Sequence, residues 1–187
     1  IGLVNFAGEI LDLSVNDAFR FGNTPEKLDE VCCLISDFIG RLNIDKKKIL
    51  NVNVNVAGRV NPDSGFSFSI FNFEEKPLAQ VIAEKIGRSV TIENDTRAMT
   101  YGEYIRYYPE DRKNILFVNA SWGVGIGLII DGKIYNGKPG YAGEFGHMSV
   151  YNNEIMCHCG KKGCVETEAS GSAIARQLAA RRNAGEV

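Results

Sequence analysis

Between residues 49 and 56, Val52, Val54 and Val56 alternate with Asn51, Asn53 and Asn55. A period of two predicts a strand with one apolar and one polar face. Upstream, residues 1–6 and 9–13 flank Gly8 and predict a hairpin. Thr24-Pro25-Glu26 combines an N-cap, a first-turn proline and an early acid, which marks a helix start. Leu28, Val31, Cys32, Ile35, Phe38, Ile39 and Leu42 then keep helical spacing to about Asn43. Residues 57–65 read as a loop and 66–70 as a second alternating strand. A short helix over 77–86 stops at Gly87. A strand over 90–93 ends in Asn94-Asp95 and leads into a helix over 96–105, with Asp95 or Thr96 near its N-cap. Residues 106–113 are charged and contain Pro109, so a lobe boundary is expected there. Beyond it come a strand over 114–120 and a glycine-rich strand over 123–131. That strand turns at Asp131-Gly132 into residues 133–135. A helix over 172–183 closes the chain. Strands alternating with helices, plus hairpins, predict a mixed α/β architecture of two similar lobes, 1–110 and 111–187.

Composition narrows the function classes. The chain has 187 residues, is 44% hydrophobic and 24% charged, and carries a net charge of −2. That balance is ordinary for a globular protein and argues against this segment itself being a nucleic-acid surface. The basic cluster Lys46, Lys47 and Lys48 reads as a solvated helix end. No apolar run reaches transmembrane length, and with no signal or lipidation motif the chain reads as cytoplasmic, without a membrane partner. It opens at Ile1 inside a strand pattern, which suggests a trimmed domain.

The densest chemistry is Gly146-His147 followed by Cys157-His158-Cys159-Gly160-Lys161-Lys162-Gly163-Cys164-Val165-Glu166. Three thiols and one imidazole at this spacing suit a closed tetrahedral zinc site of His147, Cys157, Cys159 and Cys164, with glycines for the tight turns. The bland reading is ordinary buried or free cysteines. His158 competes for the fourth position but is flanked by two ligands, which makes it hard to aim at the same ion. Cys32 and Cys33 lie in a helical pattern and read as core or boundary residues.

Acidic residues surround that cluster. Asp95 at a strand end can accept a proton from a substrate hydroxyl, or can simply cap the next helix. Glu144 and Glu166 flank the zinc motif and can accept hydrogen bonds from sugar hydroxyls; the alternative is a supporting or surface role. The second nitrogen of a zinc-bound His147 can donate to a ligand oxygen. Gly123, Gly125 and Gly127, after Ser121-Trp122, form a glycine-rich segment that could bring backbone amides to a phosphate. Alternating glycines also occur where a neighbouring backbone crowds a strand, and bulky Trp122 suits phosphate approach poorly.

Together these segments resemble the ROK family, which joins bacterial sugar kinases with sugar-responsive transcriptional repressors. The resemblance runs along essentially the whole chain. It rests most on Gly143-Glu144-Phe145-Gly146-His147 with the cysteine motif, on Glu93-Asn94-Asp95-Thr96-Arg97-Ala98, and on Ala57-Gly58-Arg59-Val60-Asn61-Pro62. It implies an actin-like ATPase, ribonuclease-H-like fold of two lobes, here expected to be incomplete at both ends. It implies structural zinc at His147, Cys157, Cys159 and Cys164. Sugar or sugar-phosphate contacts are implied from Asn94, Asp95, Glu144, His147 and Glu166, with Gly58 and Arg59 from a closing loop. In the kinases the residue matching Asp95 is the general base, and ATP and Mg enter only in that branch. Two departures from the kinases matter. No Asp-x-Gly-Gly-Thr phosphate loop is matched, the chain being expected to begin at the second strand, and Ala120-Ser121-Trp122-Gly123, in the place of the kinases' Gly-Thr-Gly, looks more like the repressor branch. The expected function is therefore the sugar-binding effector domain of a repressor, with a sugar kinase as the alternative. DNA would be met through a helix-turn-helix outside this chain, and the family resemblance implies a dimer or tetramer.

Overall fold

A computed structural model of the chain describes residues 1–73, 75–107 and 112–186. It divides into two compact units, Ile1–Glu93 and Asn94–Val187. The lobe boundary expected at 110/111 lies outside the described residues.

In the first unit, β1 (Gly2–Val4) and β2 (Ile10–Leu13) form the antiparallel hairpin that the Gly8 turn predicts. Helix α1 (Pro25–Arg41) starts where Thr24-Pro25 places it, and the Thr24 hydroxyl accepts from Lys27 N at 3.3 Å. Strand β3 (Val52–Val56) carries the valine–asparagine alternation, and it lies beside β6 (Val90–Asn94). The asparagine face is knitted together: Asn51 Nδ2 donates to Thr91 Oγ1 at 2.7 Å, and that hydroxyl donates to Asn53 Oδ1 at 3.1 Å.

Two readings of this unit need correction. Residues 57–65 are not all loop, because β4 (Val60–Asn61) pairs antiparallel with β5 (Phe66–Ser67). The strand expected over 66–70 ends early. The Ser67 hydroxyl accepts from Ile70 N at 3.2 Å, and Phe71 takes a φ of 53°, so the chain turns rather than extends. Helix α2 (Leu78–Ile86) ends at Gly87, whose φ of 66° is the left-handed stop that the sequence signals. The core joins Leu28, Cys32 and Ile35 of α1 to Leu78, Val81 and Ile82 of α2, with Val56, Val60, Phe71 and Ile92. Fully burying one such aliphatic side chain stabilises the fold by about 1.5–3 kcal/mol.

The second unit is built on an antiparallel sheet of β7 (Ile115–Ala120), β8 (Val124–Ile130) and β9 (Lys133–Ile134), with Ala120 opposite Val124 and Ile115 opposite Ile129. Asp131 and Gly132, both at positive φ, make the expected hairpin turn. Helix α3 (Asp95–Tyr107) packs on β8. A short helix α4 (Glu166–Ala169) precedes α5 (Gly171–Asn183), where Ser170 Oγ caps Ala173 N at 3.0 Å. Among the described residues, no helix is long and apolar enough to cross a membrane.

Candidate functional site

The start of β8 is the point on which the candidate segments of the second unit meet. On one face sits α3. A Cβ added to Gly125 would lie 3.0 Å from Thr96 Oγ1, and one added to Gly127 only 1.8 Å from Thr100 Oγ1. On the β8 backbone lies the segment carrying Glu144 and His147. A Cβ on Gly143 would stand 2.1 Å from Ile126 O, and one on Gly146 would stand 2.0 Å from Val124 O. Glu166 completes the set, its Oε2 accepting from Val124 N at 2.9 Å. Residues 123–126 thus touch the neighbours of Asp95, of His147 and Glu144, and Glu166 itself. The glycines of β8 are explained by this crowding, which is the packing reading of alternating glycines.

Asn94, not Asp95 or Thr96, caps α3: Asn94 Oδ1 accepts from Arg97 N at 2.9 Å. Asp95 is thereby spared the usual capping bond to the third amide on. Its Oδ1 accepts from Thr96 N at 2.7 Å and from Asn94 Nδ2 at 3.1 Å. Both bonds, and a longer one from Thr96 Oγ1 at 3.4 Å, fall on the same oxygen, so the carboxylate is oriented with Oδ2 remaining. Arg97, 2% exposed, sends one guanidinium nitrogen to Gly140 O at 2.8 Å. It thereby ties α3 to the loop that leads into Glu144. Nothing in the sequence pattern flags this contact, because Gly140 is a distant loop carbonyl.

Glu144 to His147 form one 3₁₀ turn, which puts these two side chains at its two ends. His147 Nδ1 lies 3.5 Å from Cys157 Sγ, and Cys159 Sγ lies 3.6 Å from Cys164 Sγ. The four donor atoms of His147, Cys157, Cys159 and Cys164 all fall within 4.8 Å of one another. A zinc tetrahedron, with bonds of about 2.3 Å to sulfur and 2.0–2.1 Å to nitrogen, has edges of roughly 3.5–3.8 Å. The donor set and its spacing therefore fit that ion. A tight turn holds the set, with Gly160 N donating to Cys157 O at 2.9 Å and Cys157 N to Lys161 O at 2.8 Å. Gly163 is required at its place, since a Cβ there would stand 2.0 Å from Tyr151 O.

The thiols differ in acidity. Burial pushes the Cys157 thiol up to about 12 and raises Cys164 as well. At Cys159 burial acts upward too, but the Lys161 backbone and the neighbouring thiols outweigh it and hold the group below its ordinary value. A metal needs all three as thiolates, so metal uptake at this site releases protons.

With Nδ1 bound to a metal, the His147 ring would carry its proton on Nε2. That nitrogen is 4.0 Å from Glu144 Oε2, beyond direct hydrogen-bonding range. A single hydroxyl oxygen could bridge such a gap, accepting from the imidazole and donating to the carboxylate. His158 does not serve as the fourth metal donor in this arrangement. Its Nδ1 lies 3.0 Å from Glu166 Oε1 and 3.9 Å from Cys157 Sγ.

Gly58 and Arg59 belong to the first unit and are described there alone. Gly58 has a φ of 83° and faces Ser69, whose hydroxyl accepts from Arg59 N at 3.0 Å.

Comparison with known proteins places these features. Residues 1–186 match the ROK family. A xylose repressor of Bacillus subtilis is 32% identical over 185 residues, covering 95% of this chain and 48% of that protein. An N-acetylmannosamine kinase of Vibrio cholerae is 40% identical over 129 residues, covering 67% of this chain and 45% of the kinase. The crystal structure of a ROK family transcriptional regulator, a homologue of the E. coli MLC protein, superposes with a TM-score of 0.78 at 29% identity. It covers 100% of this chain and 47% of that one. The chain spans about half the length of the curated relatives it matches. The mixed α/β units are those of the actin-like ATPase fold.

Proposed function

The chain belongs to the ROK family, and from that premise we propose that it is the sugar-binding effector part of a transcriptional regulator. The observation that carries the proposal is the meeting of three segments at residues 123–126, the ones bearing Asp95, Glu144 with His147, and Glu166. Carboxylates beside an imidazole N–H form a set of acceptors and one donor, which is what a polyhydroxyl ligand needs for orientation. In this reading Asn94, Asp95, Glu144, His147 and Glu166 contact the sugar, and Gly58 and Arg59 come from the closing loop. Zinc at His147, Cys157, Cys159 and Cys164 is structural. It would fix the His147 ring and the loop that carries Glu166, and perform no chemistry. DNA contact is left to a helix-turn-helix outside this chain. Regulation requires that the sugar bind one state of the whole protein better than another.

The regulator reading is favoured over catalysis by the glycine-rich segment. A phosphate cradle needs free backbone amides, and here Val124 N is already taken by the Glu166 carboxylate. Gly125 and Gly127 are spent on packing against α3, and Trp122 stands 72% exposed at the turn. Phosphoryl transfer rests on positioning and neutralising phosphate, so a segment built this way supports it poorly. The second reading is a sugar kinase, with Asp95 as general base. The Vibrio cholerae kinase similarity and the uncommitted Oδ2 of Asp95 favour it. An ATP-coupled phosphorylation assay on the full-length protein across aldopentoses, aldohexoses and their N-acetyl derivatives separates the two. Turnover abolished by Asp95→Ala establishes the kinase; no turnover, with sugar binding retained, establishes the sensor.

A further inference from the structure

We propose that Arg97 is a positioning residue that keeps Asp95 and Glu144 in register with each other. The inference rests on the sugar reading of those two carboxylates. Arg97 sits on the first turn of α3, two residues after Asp95, and is 2% exposed. Its backbone and its side chain serve different segments. Arg97 N donates to Asn94 Oδ1 at 2.9 Å, and Asn94 Nδ2 donates to Asp95 Oδ1 at 3.1 Å. The guanidinium Nη1 donates to Gly140 O at 2.8 Å, in the loop that leads into Glu144. A run of hydrogen bonds thus joins Asp95, through Asn94 and Arg97, to Gly140.

That loop turns through Gly140 and Gly143, at φ of 96° and 91°. Such glycines leave a free chain many conformations, so the shape of the loop depends on what fastens it. Ala142 N donates to Asn136 O at 3.0 Å within the loop, and Ile126 N of β8 donates to Gly143 O at 3.2 Å, beside Glu144. The Arg97 bond fastens the loop to α3 between Asn136 and Gly143. Burying a guanidinium carries a desolvation cost that hydrogen bonds offset only in part, and an apolar side chain of similar length would fill the space at less cost. What the guanidinium adds is geometry, because its planar, rigid donors fix a carbonyl in direction as well as in distance.

The tie is read first without any sugar, by hydrogen exchange of the full-length, zinc-loaded protein. Arg97→Met keeps the stem and removes the donors. It should speed exchange at Ala142 N roughly tenfold or more, as a lost bond from a charged donor implies. Arg97→Lys, which keeps a charged donor, should fall between Arg97→Met and wild type. Exchange as slow as wild type in both variants overturns the proposal.

The functional arm is a double-mutant cycle. Binding is measured by calorimetry with D-xylose, D-glucose and N-acetylmannosamine, on wild type, Arg97→Met, Glu144→Gln and the double variant, each shown to be folded. A misaimed carboxylate loses much of a charge-assisted bond, so Arg97→Met should weaken binding roughly three- to tenfold. It should cost almost nothing further when Glu144 is already glutamine. Arg97→Lys should recover part of the affinity, and it takes the place of Arg97→Met in the cycle if the latter does not fold. A lowered melting temperature with unchanged Kd, or losses that simply add, overturns the positioning role. Sugar binding that Glu144→Gln leaves unchanged sinks the sugar reading of Glu144 instead, and the exchange measurement still decides the Arg97 tie.

Discussion

Gly127→Ala is the sharpest perturbation of the β8 packing. The added methyl carbon would stand 1.8 Å from Thr100 Oγ1, 2.7 Å from its Cβ and 3.0 Å from its Cγ2. Thr100 is 1% exposed, and its hydroxyl donates to Thr96 O at 2.7 Å. The side chain cannot swing away without giving up a buried hydrogen bond, which costs about 1–1.5 kcal/mol. Overpacking adds about 1–3 kcal/mol, offset by the roughly 0.5–1 kcal/mol that alanine gains over glycine within a strand. The expected net loss is about 2–3 kcal/mol, read as a shift in the urea midpoint. Gly102→Ala is the control, because nothing lies within 4 Å of a Cβ there, and it should stabilise α3 by up to about 1 kcal/mol. Adding Thr100→Ala to Gly127→Ala should recover part of the loss, since Oγ1 is removed and the Cβ remains. If Gly127→Ala is as stable as wild type, the packing account of the glycines is wrong. A phosphate-approach role then becomes the better explanation.

Three further outcomes follow from the same structure. Chelation of the metal, or Cys164→Ser, should lower the melting temperature of the second unit and abolish the His147 metal signature, as followed by calorimetry and zinc content; an unchanged transition would remove zinc from the account. Thr24→Ala should destabilise the first unit by about 1 kcal/mol in denaturant melts, through the lost cap on Lys27 N, and Thr24→Ser should not. Burial raises the Cys32 thiol above its ordinary value. The stability that this contributes is fully present below the unfolded thiol's pKa of about 8.5 and is lost as pH rises toward the higher folded value. Cys32→Ala should flatten that alkaline decline, and a decline of unchanged slope refutes the assignment.

Much of the first unit was legible because its signals are local. Thr24-Pro25 and the apolar spacing after it define α1, and Gly87 ends α2. The valine–asparagine alternation defines β3. What was not legible depends on partners distant in sequence. The β4–β5 pairing needs Val60 to meet Ser67 across a loop, and the shortened β5 follows from a serine hydroxyl that bonds Ile70 N instead of facing solvent. In the site, the residue types and their spacing pointed to the metal set, and the four donor atoms come together. The cap of α3 falls on Asn94 rather than on Asp95 or Thr96, since all three are competent caps and only geometry selects among them. The Val124 bond to Glu166 had no signal at all, because its donor is a backbone amide.

The most direct test of the central claim is a sugar-dependent melting shift, measured on the full-length, zinc-loaded protein alongside Asp95→Asn and Glu144→Gln. A sugar bound only by the folded state adds about 2.7 kcal/mol when its free concentration is roughly 100 times Kd. The account requires at least one aldopentose or aldohexose to raise the wild-type midpoint, and each variant to lose most of that rise while retaining zinc. A protein that no sugar stabilises, or variants that respond as wild type does, would contradict it.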